Sequence, residues 1–187
     1  DWGCALGLKY ARLNSDRIKS ITFMEGLVVP LTWEKWPEIA RKIFSLFRSE
    51  AGEELVLEKN FFVERLLLTD PITPMSEETK KEYLRPYLEE GESRRPTLTW
   101  PRNIPLDGYE PKETLDTVKA NAEFHSSSSI PKLFVNADPG LILVGEQREE
   151  IRRWNNLKEV TVKGNHFIQE DSSKEITEHL KEFISKL

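Results

Sequence analysis

The run Lys132 to Ala137, KLFVNA, restricts the fold more than any other part of the sequence. It is apolar almost throughout and is closed by Asp138-Pro139-Gly140, a sharp turn signal. A short continuous apolar run of this kind suits a strand covered on both faces, as in a parallel sheet flanked by helices. Two more strands are readable. Arg17 to Glu25 carries Ile18, Ile21 and Phe23, and Lys158 to Lys163 alternates Val160 and Val162 with Thr161 and Lys163 before Gly164-Asn165 breaks the pattern.

Amphipathic segments separate these strands. Leu6, Tyr10 and Leu13 predict a short buried helix from Cys4 to Leu13, Leu115 and Val118 another between Pro111 and His125, and Glu146 to Trp154 a third. Ile176, Leu180, Phe183 and Ile184 form the stripe of a closing helix. Strands alternating with helices predict an α/β fold with a parallel sheet. Between Thr32 and Leu106 the strand pattern vanishes, and helical pieces punctuated by proline are expected at Trp33 to Arg48, Glu53 to Leu68 and Ser76 to Leu88. Ser76 before Glu77-Glu78 marks a helix start, whereas the proline-rich Arg94 to Leu106 is expected to be a connector. The expected organisation is a core from residues 1–25 and 112–187, with residues 26–111 inserted as a helical cap.

The chain has 187 residues, 38% of them hydrophobic, enough to bury a core in one domain or two small ones. Its 27 basic and 32 acidic residues are spread without basic blocks, so nucleic acid is not an expected partner. A single cysteine excludes an internal disulfide and Cys-rich metal spacing, and no apolar run approaches the length of a membrane span. A cytoplasmic protein without a metal is expected.

Three polar groups fall at expected strand ends or turns: Asp1 before a glycine-containing helix start, Glu25 after a strand, and His166 after the last strand. Loops at strand carboxyl ends are where open α/β sheets gather ligands and catalytic groups. Covalent catalysis needs an exposed nucleophile, a base, and an acid that orients the base, and Asp1, His166 and Glu25 can fill those roles in that order. The alternatives stay open at this point, since a carboxylate after a strand is commonly a solvated loop residue and a loop histidine commonly a surface group. His125 and His179 read as surface or packing residues, Cys4 as a small buried side chain, and Trp33, Trp36 and Trp154 as packing.

Several blocks in one order add a resemblance. Asp1-Trp2-Gly3, Phe23-Met24-Glu25, the stretches Phe47 to Leu55 and Asn60 to Glu64, Arg95 to Pro101, Ala137 to Gly140 and His166 to Asp171 together resemble the haloalkane dehalogenase family of α/β-hydrolases. The chain is also similar to coelenterazine luciferases of the Renilla type, which share that scaffold. The resemblance implies an α/β-hydrolase sheet lacking its first strands, in a chain truncated at the nucleophile. It implies Asp1 as nucleophile forming an alkyl ester, His166 as the base that activates water, Glu25 as the acid orienting His166, and Trp2 as a halide-binding N–H donor. Phe44, Phe62, Trp100 and Pro101 match positions lining the family's substrate pocket. A small halogenated hydrocarbon, water and a halide ion are the implied partners, and no cofactor or metal is implied. Two other readings are a coelenterazine monooxygenase, and an inactive fragment that pairs with a complementing N-terminal segment or a second copy. In the family a second halide donor and part of the oxyanion hole lie upstream of the nucleophile, so the 187-residue chain alone is expected not to turn over substrate.

Overall fold

The computed structural model describes residues 1–36, 38–106, 108 and 111–187. In chain order its helices and strands are α1 (Trp2–Leu13), β1 (Ile21–Phe23), α2 (Glu38–Arg48), α3 (Ala51–Glu53), α4 (Glu77–Leu84), α5 (Pro96–Arg102), α6 (Lys112–Ser127), β2 (Lys132–Pro139), α7 (Gly145–Ile151), β3 (Leu157–Gly164) and α8 (Ile168–Ile184). They divide into two compact units, residues 1–30 with 115–187 and residues 31–114. Gly26 to Pro30 goes with the first unit because Val28 and Val29 are buried in its core beside Phe23 and Phe134.

The first unit is built on a parallel sheet in the order β1-β2-β3. Ile21 pairs with Lys132 and Phe23 with Phe134, while β2 pairs with β3 from Lys132↔Leu157 to Pro139↔Gly164. β2 is the middle strand, and its residues from Lys132 to Ala137 are all buried, as its nearly continuous apolar run predicts. One face carries Phe23, Phe134 and Trp154, with the two phenyl rings stacked at 5.4 Å. The other carries Leu133, Val135 and Val162 against Ile168, Ile176 and Phe183 of α8. Lys132, fully buried, donates from Nζ to the carbonyls of Ser128, Ile130 and Asn155 and so ties together the loops at the start of the sheet. Burial pushes its ammonium down from the ordinary lysine value.

Some expectations are corrected. α1 buries Ala5, Leu8 and Ala11, whereas Leu6, Tyr10 and Leu13 are exposed. Its inner face is narrow because α6 meets it through polar groups. Asn121 donates from Nδ2 to the carbonyl of Ala5 at 3.0 Å and accepts from Arg12 Nε at 3.1 Å. His125 Nε2 lies 2.8 Å from the carbonyl of Leu8, which can only accept, so Nε2 carries the proton. Of the surface and packing readings of His125 the structure has the second, as a fully buried helix clamp. β1 is shorter than the strand expected from Arg17 to Glu25, since residues 15–17 turn in a 3₁₀ helix. In α8 Ile176 and Phe183 are buried as expected, but Ile184 is exposed.

In the second unit, α2 and α5 surround a core of Phe47, Val56, Leu57 and Leu98. The expected helix over residues 53–68 breaks into two π-helical turns, Glu54–Glu58 and Phe62–Leu66, around Asn60 at φ 51. Buried Arg94 explains part of the break, because its guanidinium takes the carbonyls of Leu57 and Glu58 together with those of Tyr87 and Leu88. Arg94 to Leu106 is not a plain connector. α5 forms there because Pro96 occupies the first turn, where no backbone donor is required. Ser76 caps α4 as its sequence predicts, accepting from the amide of Thr79 at 3.1 Å.

His125 makes the α1–α6 contact sensitive to acid. Burial pushes its imidazole below the ordinary value, the Leu8 carbonyl opposes that shift, and the charges of Lys132 and Arg12 add to it. A depressed histidine contributes stability that is whole above about pH 6.5 and is lost as pH falls toward the folded value. The melting temperature of the chain is expected to fall between pH 7 and pH 5, and less steeply in His125→Gln. Asn121→Leu, which strips partners from Ala5 and Arg12, is expected to cost about 1–3 kcal/mol at any pH in chemical denaturation.

Candidate active site

The elbow at the start of α1 is held by backbone contacts with the end of β1. The main-chain nitrogen of Asp1 donates to the carbonyl of Glu25 at 2.9 Å, and the carbonyl of Asp1 accepts from the amides of Cys4 at 3.0 Å and Leu27 at 3.3 Å. Cys4, partly buried, donates from Sγ to the carbonyl of Met24 at 3.3 Å. This crossing requires glycine at position 26, since a Cβ there would lie 2.3 Å from Cys4 Sγ and 2.8 Å from the Asp1 carbonyl oxygen. Glu25 itself takes φ 30, in the left-handed region that side chains rarely adopt.

That backbone turn directs the Glu25 side chain inward, where it is only 2% exposed. Its Oε2 accepts from the amides of Leu141 at 3.0 Å and Ile142 at 2.8 Å, and its Oε1 from the amide of Leu143 at 3.2 Å. These donors come from the loop after β2, which leaves the strand through a cis Asp138-Pro139 peptide and Gly140 at φ 72. Burial raises the Glu25 carboxyl, but His166 and the amides of Ile142 and Leu141 outweigh it and hold the group below the ordinary carboxylate value. Glu25 is thus a fixed acceptor and not a solvated loop residue.

His166 follows β3, in the turn before α8. Gly140 donates its amide to the carbonyl of Gly164 at 3.0 Å, linking the two loops. The His166 side chain is 12% exposed, with Nδ1 3.7 Å from Glu25 Oε2 and Nε2 3.8 Å from Asp1 Oδ2. Both separations are somewhat longer than hydrogen bonds, yet the imidazole lies between the two carboxylates with one nitrogen toward each. Asp1, Glu25 and His166 share a cavity of about 330 Å³ bordered by Cys4, Leu8, Phe23, Met24 and Phe167. Apart from the carboxylates and the imidazole its lining is mostly apolar.

The remaining candidates divide between the units. Trp2 opens α1 next to Asp1 and is partly buried, but it does not border that cavity. Phe44 and Phe62 lie in the second unit, packed around Phe47 at ring separations of 5.6 and 6.2 Å. Trp100 and Pro101 are on α5, Trp100 exposed and Pro101 buried. No group of three or more His, Cys, Asp and Glu side chains suited to a metal ion occurs among the described residues. No helix of the described residues is long and apolar enough to cross a membrane. Sequence reasoning missed Arg148, whose guanidinium takes the carbonyls of Ala137 and Pro139 at the end of β2 and of Leu143 in the loop that holds Glu25. Only its position in a short helix just after the strand-end turn could have drawn attention to it.

Comparison with known proteins places these residues in a family context. A family model described as alpha/beta hydrolase fold matches residues 1–173. A haloalkane dehalogenase of Sphingobium indicum is 46% identical over 187 residues, covering 100% of this chain and 63% of its own. Coelenterazine h 2-monooxygenase of Renilla reniformis is 39% identical over 189 residues, covering 100% of this chain and 60% of its own. Among solved structures, the haloalkane dehalogenase DbeA from Bradyrhizobium elkani USDA94 superposes with a TM-score of 0.93 at 29% identity, covering 100% of this chain and 65% of that one. The chain therefore spans less than two thirds of the length of each of these relatives.

A carboxyl held low contributes stability that is whole above its unfolded value of about 4.3 and is lost as pH falls through the folded one. Glu25→Gln is therefore expected to lower stability at pH 7 and to flatten its decline as pH falls below about 4.3. Gly140→Ala is expected to cost more than about 1 kcal/mol, because alanine is disfavoured at a left-handed φ. Its Cβ would also meet the Ala137 carbonyl oxygen at 2.9 Å. Urea denaturation across pH checks both.

Proposed function

We propose, for a chain that belongs to the alpha/beta hydrolase fold family, hydrolytic cleavage of carbon–halogen bonds through an ester on Asp1. The observation that carries this reading is the imidazole of His166 between two carboxylates, 3.8 Å from Asp1 Oδ2 and 3.7 Å from Glu25 Oε2. The 46% identity to a haloalkane dehalogenase supports the choice of substrate class. The activity is proposed for a protein of the relatives' length, and the 187-residue chain alone is expected to release no halide.

A carboxylate needs no base to become a nucleophile, so the histidine is required only in the second half of the reaction. In the first half an Asp1 oxygen attacks the halogen-bearing carbon, the carbon–halogen bond breaks with its electron pair going to the halide, and an alkyl ester forms. Trp2 would donate its indole N–H to the departing halide, a group that can donate but not accept. In the second half His166 Nε2 takes a proton from water and the resulting hydroxide attacks the ester carbonyl carbon of Asp1. The bond from Cγ to the alkyl oxygen then breaks with its electron pair going to that oxygen, which takes the proton back from His166 to leave as the alcohol, and the Asp1 carboxyl gives up its proton to return to the carboxylate. Glu25 stabilises the imidazolium through Nδ1. The net change is haloalkane plus water to alcohol, halide and a proton, with no cofactor.

The 39% identity to a coelenterazine monooxygenase favours a second reading, in which the same pocket oxidises a luciferin with molecular oxygen. Light emission with coelenterazine and no halide from small haloalkanes would select it. A further proposal concerns partners, since β1 pairs only with β2 among the described residues and Leu6, Tyr10 and Leu13 are exposed on α1. An apolar strand edge of this kind suits a complementing segment or a second copy. A compact monomer in size-exclusion chromatography of the isolated chain would argue against that.

In a version of the relatives' length, Asp1→Ala is expected to reduce halide release by a thousandfold or more, on the order seen when a nucleophile is removed. His166→Phe is expected to release about one halide per protein and then stop, leaving Asp1 esterified. Intact mass spectrometry would read an alkyl group in place of one proton. An unmodified mass together with continued turnover would sink the ester mechanism.

A further inference from the structure

We infer that Arg148 is a positioning residue that fixes Glu25, and through Glu25 the His166 imidazole, by clamping the end of β2 and the loop that follows it, residues 137–143, from outside the site. The inference rests on the reading of Asp1, Glu25 and His166 as the reacting set, but the clamp can be tested apart from it.

The loop has to aim three successive amides, those of Leu141, Ile142 and Leu143, at one buried carboxylate. Three adjacent N–H groups converge only if the backbone is bent tightly and held, and Gly140 at φ 72 supplies the bend. The hold comes from α7. Arg148 Nη2 donates to the carbonyl of Ala137 at 2.9 Å and to that of Pro139 at 3.2 Å, while its Nε donates to the carbonyl of Leu143 at 3.0 Å. One planar guanidinium therefore fastens the loop before and after the three amides. A planar fork can do this because its donors point in fixed directions, which a lysine ammonium cannot match.

Space at the bend is consistent with the clamp. A Cβ on Gly140 would lie 3.1 Å from Glu25 Oε1 and 3.2 Å from Arg148 Nη2, so the carboxylate and the guanidinium approach the same point of the backbone. The loop also reaches the histidine side, through the Gly140 amide bonded to the Gly164 carbonyl two residues before His166. Arg148 acts on Glu25 through the backbone: its guanidinium bonds main-chain oxygens, and the loop passes the constraint on.

With the guanidinium removed, the carbonyls of Ala137, Pro139 and Leu143 lose their donor and the loop can relax. The amides then drift from Glu25, and burial, which opposes the charged form, gains weight. In Arg148→Met the Glu25 carboxyl is expected to titrate about one pH unit higher by carbon-13 NMR, with its signal identified by Glu25→Gln. Hydrogen exchange at Leu141, Ile142 and Leu143 is expected to quicken at least about tenfold while Val162 in β3 is unchanged. Arg148→Lys is expected to recover part of both effects, and it decides the matter if Arg148→Met does not fold. In a version of the relatives' length, kcat for halide release is expected to fall about tenfold with KM within about twofold, and the acidic limb of kcat to move to higher pH. A lowered melting temperature with the Glu25 titration and the three amides unchanged overturns the inference. NMR shifts as expected, with no halide released by the unsubstituted protein of the relatives' length, leave the clamp standing and remove the dehalogenase reading instead.

Discussion

A carboxylate with almost no solvent contact has to be satisfied by the protein, and Glu25 is the place where the first unit of this fold meets that demand. The residual penalty for burying an ionised carboxyl is several kcal/mol, and each hydrogen bond to a charged group returns roughly 1.5–3 kcal/mol. One or two donors would leave the group protonated, so three amides and an adjacent imidazole are the scale of support that keeps it charged. The consequence is architectural. The amides of residues 141–143 must all point one way, β2 must end in a tight turn, and the chain after β1 must turn through a left-handed residue so that Glu25 faces that turn. The same backbone reversal brings the Glu25 carbonyl within 2.9 Å of the Asp1 nitrogen, so the acid and the elbow are fixed by neighbouring atoms.

The readable parts of the sequence were those where the pattern is local and repeated. β2 and β3 announce themselves by an apolar run and by alternation, and Glu25 and His166 could be picked out because they directly follow strands. What stayed hidden depends on partners distant in sequence. Leu6, Tyr10 and Leu13 have the spacing of a buried face, yet the face toward α6 is chosen by Asn121 and His125, which bond main-chain oxygens of Ala5 and Leu8 and admit only small side chains or Leu8 there. Periodicity shows that a helix has an apolar stripe but not what covers it. Arg148 is harder still, since an arginine between glutamates on a polar helix reads as solvated unless the loop it reaches is already known.

The second unit repeats this lesson with a different cation. A leucine-rich stretch predicts one long helix over residues 53–68, but a buried Arg94 draws main-chain oxygens from Leu57 and Glu58 and the helix divides at Asn60. Carbonyls that a regular helix would use internally are taken by a guanidinium, and π-helical turns on either side accommodate the change. Arginine thus shapes the backbone in both units by occupying oxygen acceptors. In neither case does its charge need a carboxylate partner to explain its place.

The contrast between the two carboxylates beside His166 bears on which of them could react. Glu25 is 2% exposed and its oxygens are already engaged by three amides, whereas the Asp1 side chain is 43% exposed and borders the cavity. An oxygen saturated with donors in a fixed cradle is a poor nucleophile, because attack would require giving up those bonds as charge leaves it. An oxygen open to the cavity has less to surrender and room for an approaching carbon. Two chemically similar groups are driven apart by environment alone. That asymmetry supports Asp1 as the attacking group and Glu25 as the support of the imidazole, and it follows from the loop that encloses one carboxylate and leaves the other open.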